Sequence, residues 1–355
     1  MSLYEPYQLK DITLNNRIVM APMTRSRAIN NLPNDLMKTY YSQRAGAGLI
    51  ISEGTSPSPN GLGYPRIPGA YDPAQIDGWA EIAKGIHDNG GKFFLQLMHC
   101  GRVTAKENMP GNTTTLAPSA VKADGKMYTD EKGEVDHETP TKMTLADIEH
   151  AQKEFVDSAE SLIRAGIDGV ELHSANGYLM EQFLNPKSNL RDDDYGGGFK
   201  NRAKFVIETV KKVVSAIGED KVGIRFSPYG AMNDVEPYYE DLEEMYLYLA
   251  SELRALDIAY IHLVDHREAM GAPDFKTDIK KEIKKFFAGT VITGGNIDSE
   301  EKAKKVLDDG FDLVYIGRAF IANPDLVEKF KNGKDLREPN ADLFYTSGKE
   351  GYIDY

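Results

Sequence analysis

Short apolar segments alternate with helical patterns along the whole chain. Eight segments, most of them rich in Val, Ile and Phe and ending at Gly, Ser, Pro or Thr, are typical of buried β-strands. These strands are predicted at Arg17–Met23, Gly48–Ser52, Lys92–Met98, Gly169–His173, Val222–Ser227, Ala259–Val264, Thr290–Thr293 and Leu313–Ile316. Patterns typical of helices fall between them at Asp35–Arg44, Ala74–Asp88, Thr144–Ala165, Asn201–Ile217, Glu240–Ala255, Asp278–Phe287, Ser299–Asp309 and Pro324–Lys331.

The helix Thr144–Ala165 has the clearest pattern. Thr144 and Asp147 resemble a capping box in which Asp replaces the usual Glu or Gln. Apolar residues then recur at helical spacing from Ile148 to Leu162. This segment is therefore predicted as an amphipathic helix with a defined start.

Eight strand–helix pairs indicate an α/β protein with a (β/α)8 TIM barrel fold, formed as a single domain over residues 1–355. A doubly wound sheet is the alternative, and the absence of G-x-G-x-x-G after the first strand weakens it. Residues 1–16 precede the first strand and are predicted to form a small N-terminal cap. Residues 102–143 are too many for a plain strand-to-helix loop and are predicted as a long excursion after strand 3, in part a hairpin, over the C-terminal face.

Composition narrows the partners and the compartment. The net charge of −13 disfavours nucleic acid and anionic membranes as partners. The single cysteine, Cys100, permits neither an intrachain disulfide nor a cysteine-ligated iron–sulfur cluster. No signal-peptide pattern and no run of about 18 apolar residues is present. We expect a cytoplasmic monomer or homodimer that acts on a small molecule.

The most informative stretch follows the fourth predicted strand. His173, Asn176 and Tyr178 leave this one strand end together. His and Asn side chains can donate hydrogen bonds to an anionic oxygen, and a phenol can deliver a proton nearby. Barrel enzymes carry their active sites at the carboxyl ends of the strands, so this set is the candidate catalytic group.

A charged residue is predicted inside the fifth strand. Arg225 could form a structural pair with Glu171 or meet an electron-rich ligand, and we favour the ligand because a charged group is rarely buried without a partner.

Residues His262, Asp265 and His266 follow the sixth strand without a helix to align them, so no metal site is predicted.

The ends of the last two strands suggest a phosphate site. They read Gly294-Gly295-Asn296 and Gly317-Arg318. Glycines let the backbone approach an anion, and Arg adds a charge-assisted contact. The alternative is that the glycines serve only to form tight turns.

Taken in order, several stretches resemble the Old Yellow Enzyme family of FMN-dependent ene-reductases. The resemblance covers nearly the whole chain, from Asn16–Arg25 to Glu350–Tyr355, and its most specific stretches are Glu171–Tyr178, Asn189–Gly197, Arg202 and Ile316–Asp325. It implies a barrel that binds FMN non-covalently, with NADPH or NADH as the reductant.

The resemblance also implies positions for the flavin. The backbone of Ala21, Pro22 and Met23 would lie against the ring, and Thr24 would donate to its C4 carbonyl oxygen. Further expected contacts with the flavin come from Gly54, Gln96, Arg225 and Phe344 for the ring and from Gly294, Gly295, Asn296, Gly317 and Arg318 for the phosphate.

For the substrate, the resemblance implies that His173 and Asn176 bind the oxygen of an activated alkene or a nitro compound. Hydride would reach the β-carbon from the flavin in a ping-pong cycle, and Tyr178 would protonate the α-carbon. Other expected substrate contacts are Thr24, Tyr64, Met98 and Tyr345; for the two tyrosines, simple packing is an equal alternative.

The chain departs from the family pattern at Met98, where a Trp is usual. A flexible thioether should leave more room, so we expect broader tolerance of bulky enones. Thr24 places the chain with the Thr-bearing branch, which includes N-ethylmaleimide and pentaerythritol tetranitrate reductases. Two alternatives stay open: another FMN barrel, such as a dihydroorotate or dihydrouridine oxidoreductase, and a flavin-binding or redox-sensing protein without alkene turnover.

Overall fold

The computed structural model describes residues 2–355 and places eight parallel strands in a closed barrel, each strand followed by an outer helix. The strands are β1 (Ile18–Met20), β2 (Leu49–Ile51), β3 (Phe93–Leu97), β4 (Gly169–Ser174), β5 (Val222–Tyr229), β6 (Tyr260–Asp265), β7 (Thr290–Gly294) and β8 (Leu313–Ile316). The outer helices are α1 (Asp35–Ser42), α2 (Pro73–His87), α3 (Leu145–Arg164), α4 (Phe199–Ile217), α5 (Leu242–Ala255), α6 (Ile279–Phe287), α7 (Glu300–Asp308) and α8 (Leu326–Lys331). The predicted (β/α)8 fold is confirmed.

Shorter helices lie in the loops between these elements. The α-helical ones are Leu179–Leu184, Arg267–Met270 and Arg318–Ala322, and the 3₁₀ turns are Ile29–Asn31, Pro59–Gly61, Lys106–Asn108, Glu219–Lys221 and Ala341–Leu343.

The first predicted strand was too long. Pairing within β1 ends at Met20, and only the Ala21 N–H still bonds to Ile316, because Pro22 has no N–H to continue the ladder.

The barrel strands are buried on both faces, which explains their nearly continuous apolar sequences. Their outward side chains pack against the helices in the largest apolar cluster. Inside the barrel, a second cluster that includes Val19, Phe94 and Tyr260 fills the N-terminal half. The polar side chains of the strands are thereby left to the C-terminal half.

The predicted N-terminal cap is a two-stranded antiparallel hairpin, Tyr7–Leu9 with Ile12–Leu14. Leu9 and Leu14 are fully buried and belong to the interior cluster, so the hairpin closes the N-terminal end of the barrel. Met1, at which the predicted cap begins, lies outside the described residues.

The long segment between β3 and α3 folds over the opposite end. It contains the hairpin Lys126–Thr129 with Gly133–Asp136, and the short strands Leu116–Ala117 and Thr141–Lys142, before and after this hairpin in the sequence, pair with each other. Met127 of the hairpin packs in one cluster with Met98 and Tyr178. The predicted excursion and its hairpin are confirmed.

The predicted capping box is confirmed at the start of α3. The Thr144 hydroxyl accepts from the Asp147 N–H at 3.1 Å, and the Asp147 carboxylate accepts from the Thr144 N–H at 2.8 Å. Asp therefore serves in place of Glu.

Among residues 2–355, no helix combines the length and the apolar character needed to cross a membrane.

Candidate active site

The register of four neighbouring strands collects polar side chains at the C-terminal end of the barrel. Gln96 of β3 lies beside Glu171 of β4, and His173 of β4 lies beside Arg225 of β5, which in turn lies beside His262 of β6. Residues two apart on a strand point to the same side, so Glu171 and His173 face the interior together. The strand pairing itself therefore forms a polar layer above the apolar interior.

Glu171 is the centre of this layer and is completely buried. It accepts hydrogen bonds from Gln96 Nε2 at 2.7 Å and His262 Nδ1 at 2.9 Å. Burial by itself raises the pKa of Glu171, but His262, Arg225 and Gln96 together hold that pKa below its ordinary value, so the group is a carboxylate. Because Gln96 uses its amide N–H here, its Oε1 is left as an acceptor.

Arg225 is 7% exposed and forms no ion pair with any carboxylate of residues 2–355. Its Nε is buried without a hydrogen-bond partner. The alternative of a direct pair with Glu171 is not seen, since that carboxylate is already held by Gln96 and His262. A buried guanidinium with unused donors is suited to an electron-rich ligand.

His173 presents a neutral imidazole with a defined tautomer. Its Nδ1 accepts the Ala175 N–H at 3.3 Å, which assigns the ring proton to Nε2. Burial, the positive charge of Arg225 and His262 lower its pKa well below the ordinary 6.5. The side chain is therefore a neutral hydrogen-bond donor at neutral pH.

Asn176 lies in a tight turn after β4, in which both it and Gly177 have positive φ, 59° and 77°. Asn adopts this left-handed region more readily than most residues. Its N–H donates to Ser227 Oγ at 2.9 Å and its carbonyl accepts from Asn233 Nδ2 at 2.7 Å. Its Oδ1 is buried without a partner, so the side-chain amide is not used by the protein.

Tyr178 lies against both His173 and Tyr64. Its ring is edge-on to the imidazole, with 4.9 Å between centroids, and its hydroxyl donates to Tyr64 Oη at 2.9 Å. Burial and the neighbouring Tyr64 raise the pKa of Tyr178 well above its ordinary value of 10. The phenol keeps its proton at neutral pH.

Apart from the buried Glu171 and His262, these side chains line one cavity of about 390 Å³. Predicted site residues that it brings together are Pro22, Thr24, Gly54, Tyr64, Gln96, Met98, His173, Asn176, Tyr178, Arg225 and Tyr345. Gly54 is packed closely: a Cβ there would lie 2.5 Å from Met98 Sδ, so the glycine makes room for the methionine itself.

The remaining predicted residues lie elsewhere. Gly294, Gly295 and Asn296 line a second cavity of about 470 Å³, whereas Ala21, Met23, Gly317, Arg318 and Phe344 line neither. Gly295 has φ 133°, and a Cβ on Gly294 would lie 2.4 Å from the Tyr315 carbonyl oxygen. Turn geometry and close packing thus explain why both positions are glycine, and this explanation does not require a bound phosphate.

Sequence reasoning missed part of the cavity wall. Lys126, Met127 and Tyr128 come from the excursion hairpin, and Ser26, Pro65, Arg66 and Met232 come from other loops. The alternation of exposed and buried residues at Lys126–Thr129 indicates a strand, but not the surface that this strand covers.

Two buried arginines hold the C-terminal segment beside the cavity. Arg27 donates to the carbonyls of Leu343, Phe344, Gly348 and Glu350 and to Thr346 Oγ1, at 2.6 to 3.2 Å. Arg25 adds bonds to the Phe344 and Gly351 carbonyls. This arginine clamp, Arg25 and Arg27, fixes the segment from which Phe344 and Tyr345 arise.

The chain is similar to known flavin enzymes over its full length. The model of the NADH:flavin oxidoreductase / NADH oxidase family matches residues 2–337. A putative 12-oxophytodienoate reductase 3 of Oryza sativa subsp. japonica is 37% identical, with 99% of this chain and 92% of that protein covered. A probable flavin mononucleotide-dependent alkene reductase of Leishmania infantum is also 37% identical, with 96% and 93% covered.

Solved structures of flavin enzymes show the same similarity over nearly the full chain. Morphinone reductase has a TM-score of 0.95 and 38% identity, covering 99% of this chain and 95% of that one. An Old Yellow Enzyme homologue from Zymomonas mobilis has a TM-score of 0.95 and 34% identity, covering 100% and 99%. The barrel, the polar layer at its C-terminal end and these full-length similarities show that the chain belongs to the NADH:flavin oxidoreductase / NADH oxidase family, the Old Yellow Enzyme family, and is an NAD(P)H-dependent flavin oxidoreductase.

Proposed function

We propose that the protein is an FMN-dependent ene-reductase that uses NADPH or NADH to reduce the activated C=C bond of α,β-unsaturated carbonyls, maleimides or nitro compounds. The observation that carries the proposal is one cavity in which the neutral imidazole of His173, the unused amide of Asn176 and the protonated phenol of Tyr178 meet. Such a set can bind an oxygen that gains negative charge and supply a proton beside it.

The polar layer fits FMN. The buried Nε of Arg225 lacks a partner, and Gln96 has a free acceptor, so the layer offers a positive charge and an acceptor to the polar edge of a flavin. Thr24 and the backbone of Ala21, Pro22 and Met23 would hold the ring, with Gly54 and Phe344 beside it. Gly294, Gly295, Asn296, Gly317 and Arg318 would hold the phosphate.

When bound, FMN would supply the hydride chemistry, accepting hydride from the nicotinamide and returning it to the β-carbon of the alkene. His173 Nε2 and the Asn176 amide would donate to the substrate oxygen, whose negative charge grows during the reaction, so their bonds strengthen in the transition state. Tyr178 would give its proton to the α-carbon. Tyr64 and Tyr345 would form part of the cavity wall around the substrate.

The test is anaerobic mixing of the purified protein with NADPH and 2-cyclohexenone. An ene-reductase consumes both in step over many turnovers. A flavin carrier without alkene turnover loses its flavin absorbance once and then consumes no more NADPH, which would contradict the proposal. A protein that stays colourless after incubation with FMN would also overturn it. NADH in parallel determines which nicotinamide is preferred.

The state of His173 leads to a prediction on pH. A group whose pKa is lowered is charged only below that lowered value, so His173 stays neutral as the pH falls through 6.5. We measure the rate of enone reduction by stopped flow at saturating enone as a function of pH. We expect that this pH profile contains no histidine ionisation near 6.5. Loss of rate there that disappears in His173→Asn would contradict the neutral imidazole.

Met98 leads to a prediction on substrate scope. Its side chain fills the space above Gly54 and packs with Met127 and Tyr178, so a rigid indole at this position would narrow the cavity. We expect Met98→Trp to lower kcat/KM for enones with bulky substituents by on the order of 10-fold and to spare 2-cyclohexenone. Equal effects on both substrates would remove Met98 as the determinant of scope, and Met98→Leu, of similar volume, is the control.

A further inference from the structure

Glu181 is a buried carboxylate directly below the turn that carries Asn176. It lies in the short helix Leu179–Leu184, all six residues of which are buried, and it is 4% exposed. Its partners are hydrogen-bond donors and not cations: the Gly177 N–H, the Ser227 hydroxyl at 2.7 Å and the Tyr246 hydroxyl at 3.4 Å. Burial raises the pKa of Glu181 to about 7, against the lowering by these three donors. An acidic group buried without a counter-charge is costly, which argues for a specific use.

The partners of Glu181 are the groups that hold Asn176. Gly177 donates directly to Glu181 Oε2, and Ser227, which donates to Oε1, itself accepts the Asn176 N–H at 2.9 Å. Two successive N–H groups of the turn are thereby tied to one side chain. Among residues 2–355, no other carboxylate forms a hydrogen bond with the backbone of Asn176 or Gly177.

The turn has two successive residues at positive φ, of which only Asn176 is not a glycine, so its shape depends on the hydrogen bonds that hold it. The space around it is also tight, since a Cβ on Gly177 would lie 2.7 Å from Asn233 Cβ. Without its acceptors, the turn would lose the conformation that brings the Asn176 amide into the cavity.

We propose that Glu181 is a positioning residue for substrate binding: through Gly177 and the Ser227 hydroxyl it holds the Asn176 amide where it meets the oxygen of the activated alkene. The inference rests on the proposed function. Glu181 itself does not line the cavity, so it acts only through the turn.

The test is a double-mutant cycle on the FMN-loaded enzyme. A glutamine keeps the volume but replaces one of the two carboxyl oxygens with an NH2 group, so either the Gly177 N–H or the Ser227 hydroxyl loses the oxygen that it now meets. We expect Glu181→Gln to lower kcat/KM for 2-cyclohexenone by about 10-fold. If Glu181 acts through Asn176, the double variant Glu181→Gln/Asn176→Ala is no slower than Asn176→Ala alone. Losses that multiply, or an unchanged Glu181→Gln, would overturn the proposal.

A second pair of variants covers the case in which Glu181→Gln does not fold. Ser227→Ala removes the hydroxyl that accepts the Asn176 N–H and donates to Glu181, but keeps the bond from Gly177 to Glu181. It should lower the same kcat/KM without added loss in the Asn176→Ala background. Its matched control is Ser174→Ala, at the end of the neighbouring strand β4, where the hydroxyl is buried without any partner, and it should change nothing. Equal behaviour of the two serine variants would also overturn the proposal.

Hydrogen exchange gives a readout that does not depend on turnover. Glu181→Gln and Ser227→Ala should each speed amide exchange in a peptide spanning residues 175–184, whereas Ser174→Ala should not. If the wild-type protein fails to reduce 2-cyclohexenone, the proposed function fails while this measurement still reports on the turn. Unchanged exchange in both variants would overturn the positioning by Glu181.

Discussion

Tyr178→Phe is expected to slow enone reduction by about 100-fold or more while NADPH still reduces the flavin at the wild-type rate. The phenol is the protonated group that lies edge-on to His173 at 4.9 Å and has its pKa raised by burial and by Tyr64. The two half-reactions are separated by anaerobic stopped flow, with flavin absorbance as the signal. Because Phe keeps the ring, packing in the cluster with Met98 and Met127 is preserved.

Tyr64→Phe is the matched control. It removes the same 2.9 Å hydrogen bond between the two hydroxyls but leaves the Tyr178 proton in place. It should therefore reduce enone at a rate much closer to that of the wild type. Full-rate reduction by Tyr178→Phe would show that water supplies the proton instead, and equal losses in both variants would assign the effect to the hydroxyl pair.

Arg27→Met is expected to lower the free energy of unfolding by about 3 kcal/mol or more and to release the C-terminal segment. Arg27 is completely buried and donates five hydrogen bonds to residues 343–350, so Met would leave several carbonyls without donors. Burial and the nearby Arg25 lower the pKa of Arg27 to about 10, and the group is still charged at neutral pH. Urea unfolding and hydrogen exchange of residues 343–352 measure the two effects.

The control for this change is Arg164→Met, the same substitution at the exposed end of α3, where the side chain is 69% exposed. A surface ion pair contributes little, so its effect should stay within about 0.5 kcal/mol. If Arg27→Met and Arg164→Met unfold at the same urea concentration, the arginine clamp does not stabilise the fold. Flavin affinity of Arg27→Met would further test whether the segment with Phe344 supports FMN.

Most of the barrel could be predicted from local patterns. Strands buried on both faces give short apolar runs, and helices packed on one side give a repeat near 3.6 residues, so each element is visible in its own sequence. Errors were confined to ends, as at β1, where Pro22 stops the ladder although Met23 is apolar. The capping box of α3 fixed its start to the residue.

From the residues alone, the candidate site was predictable only at strand ends with conspicuous polar or charged residues, whereas Thr24, Tyr64, Met98 and Tyr345 came from the family resemblance. His173, Asn176 and Tyr178 lie within six positions, and Arg225 is conspicuous as a charge inside a strand. Hairpin residues such as Lys126 were missed because contacts between distant segments leave no local pattern. Glu181 did leave a signal, a single charge among apolar residues of a short helix, but its role depends on Ser227, 46 positions later.

The hairpin over the cavity has a consequence for how this enzyme can diversify. Within the excursion, Leu116–Ala117 pairs with Thr141–Lys142, and the residues between these two short strands include no barrel strand. This stretch can therefore lengthen, shorten or be exchanged without altering a barrel strand. Met127 and Tyr128 contribute to the cavity wall from within that exchangeable stretch. Part of the cavity wall can therefore change separately from His173, Asn176 and Tyr178, and we expect a foreign hairpin grafted between these two short strands to alter substrate preference while those three residues stay in place.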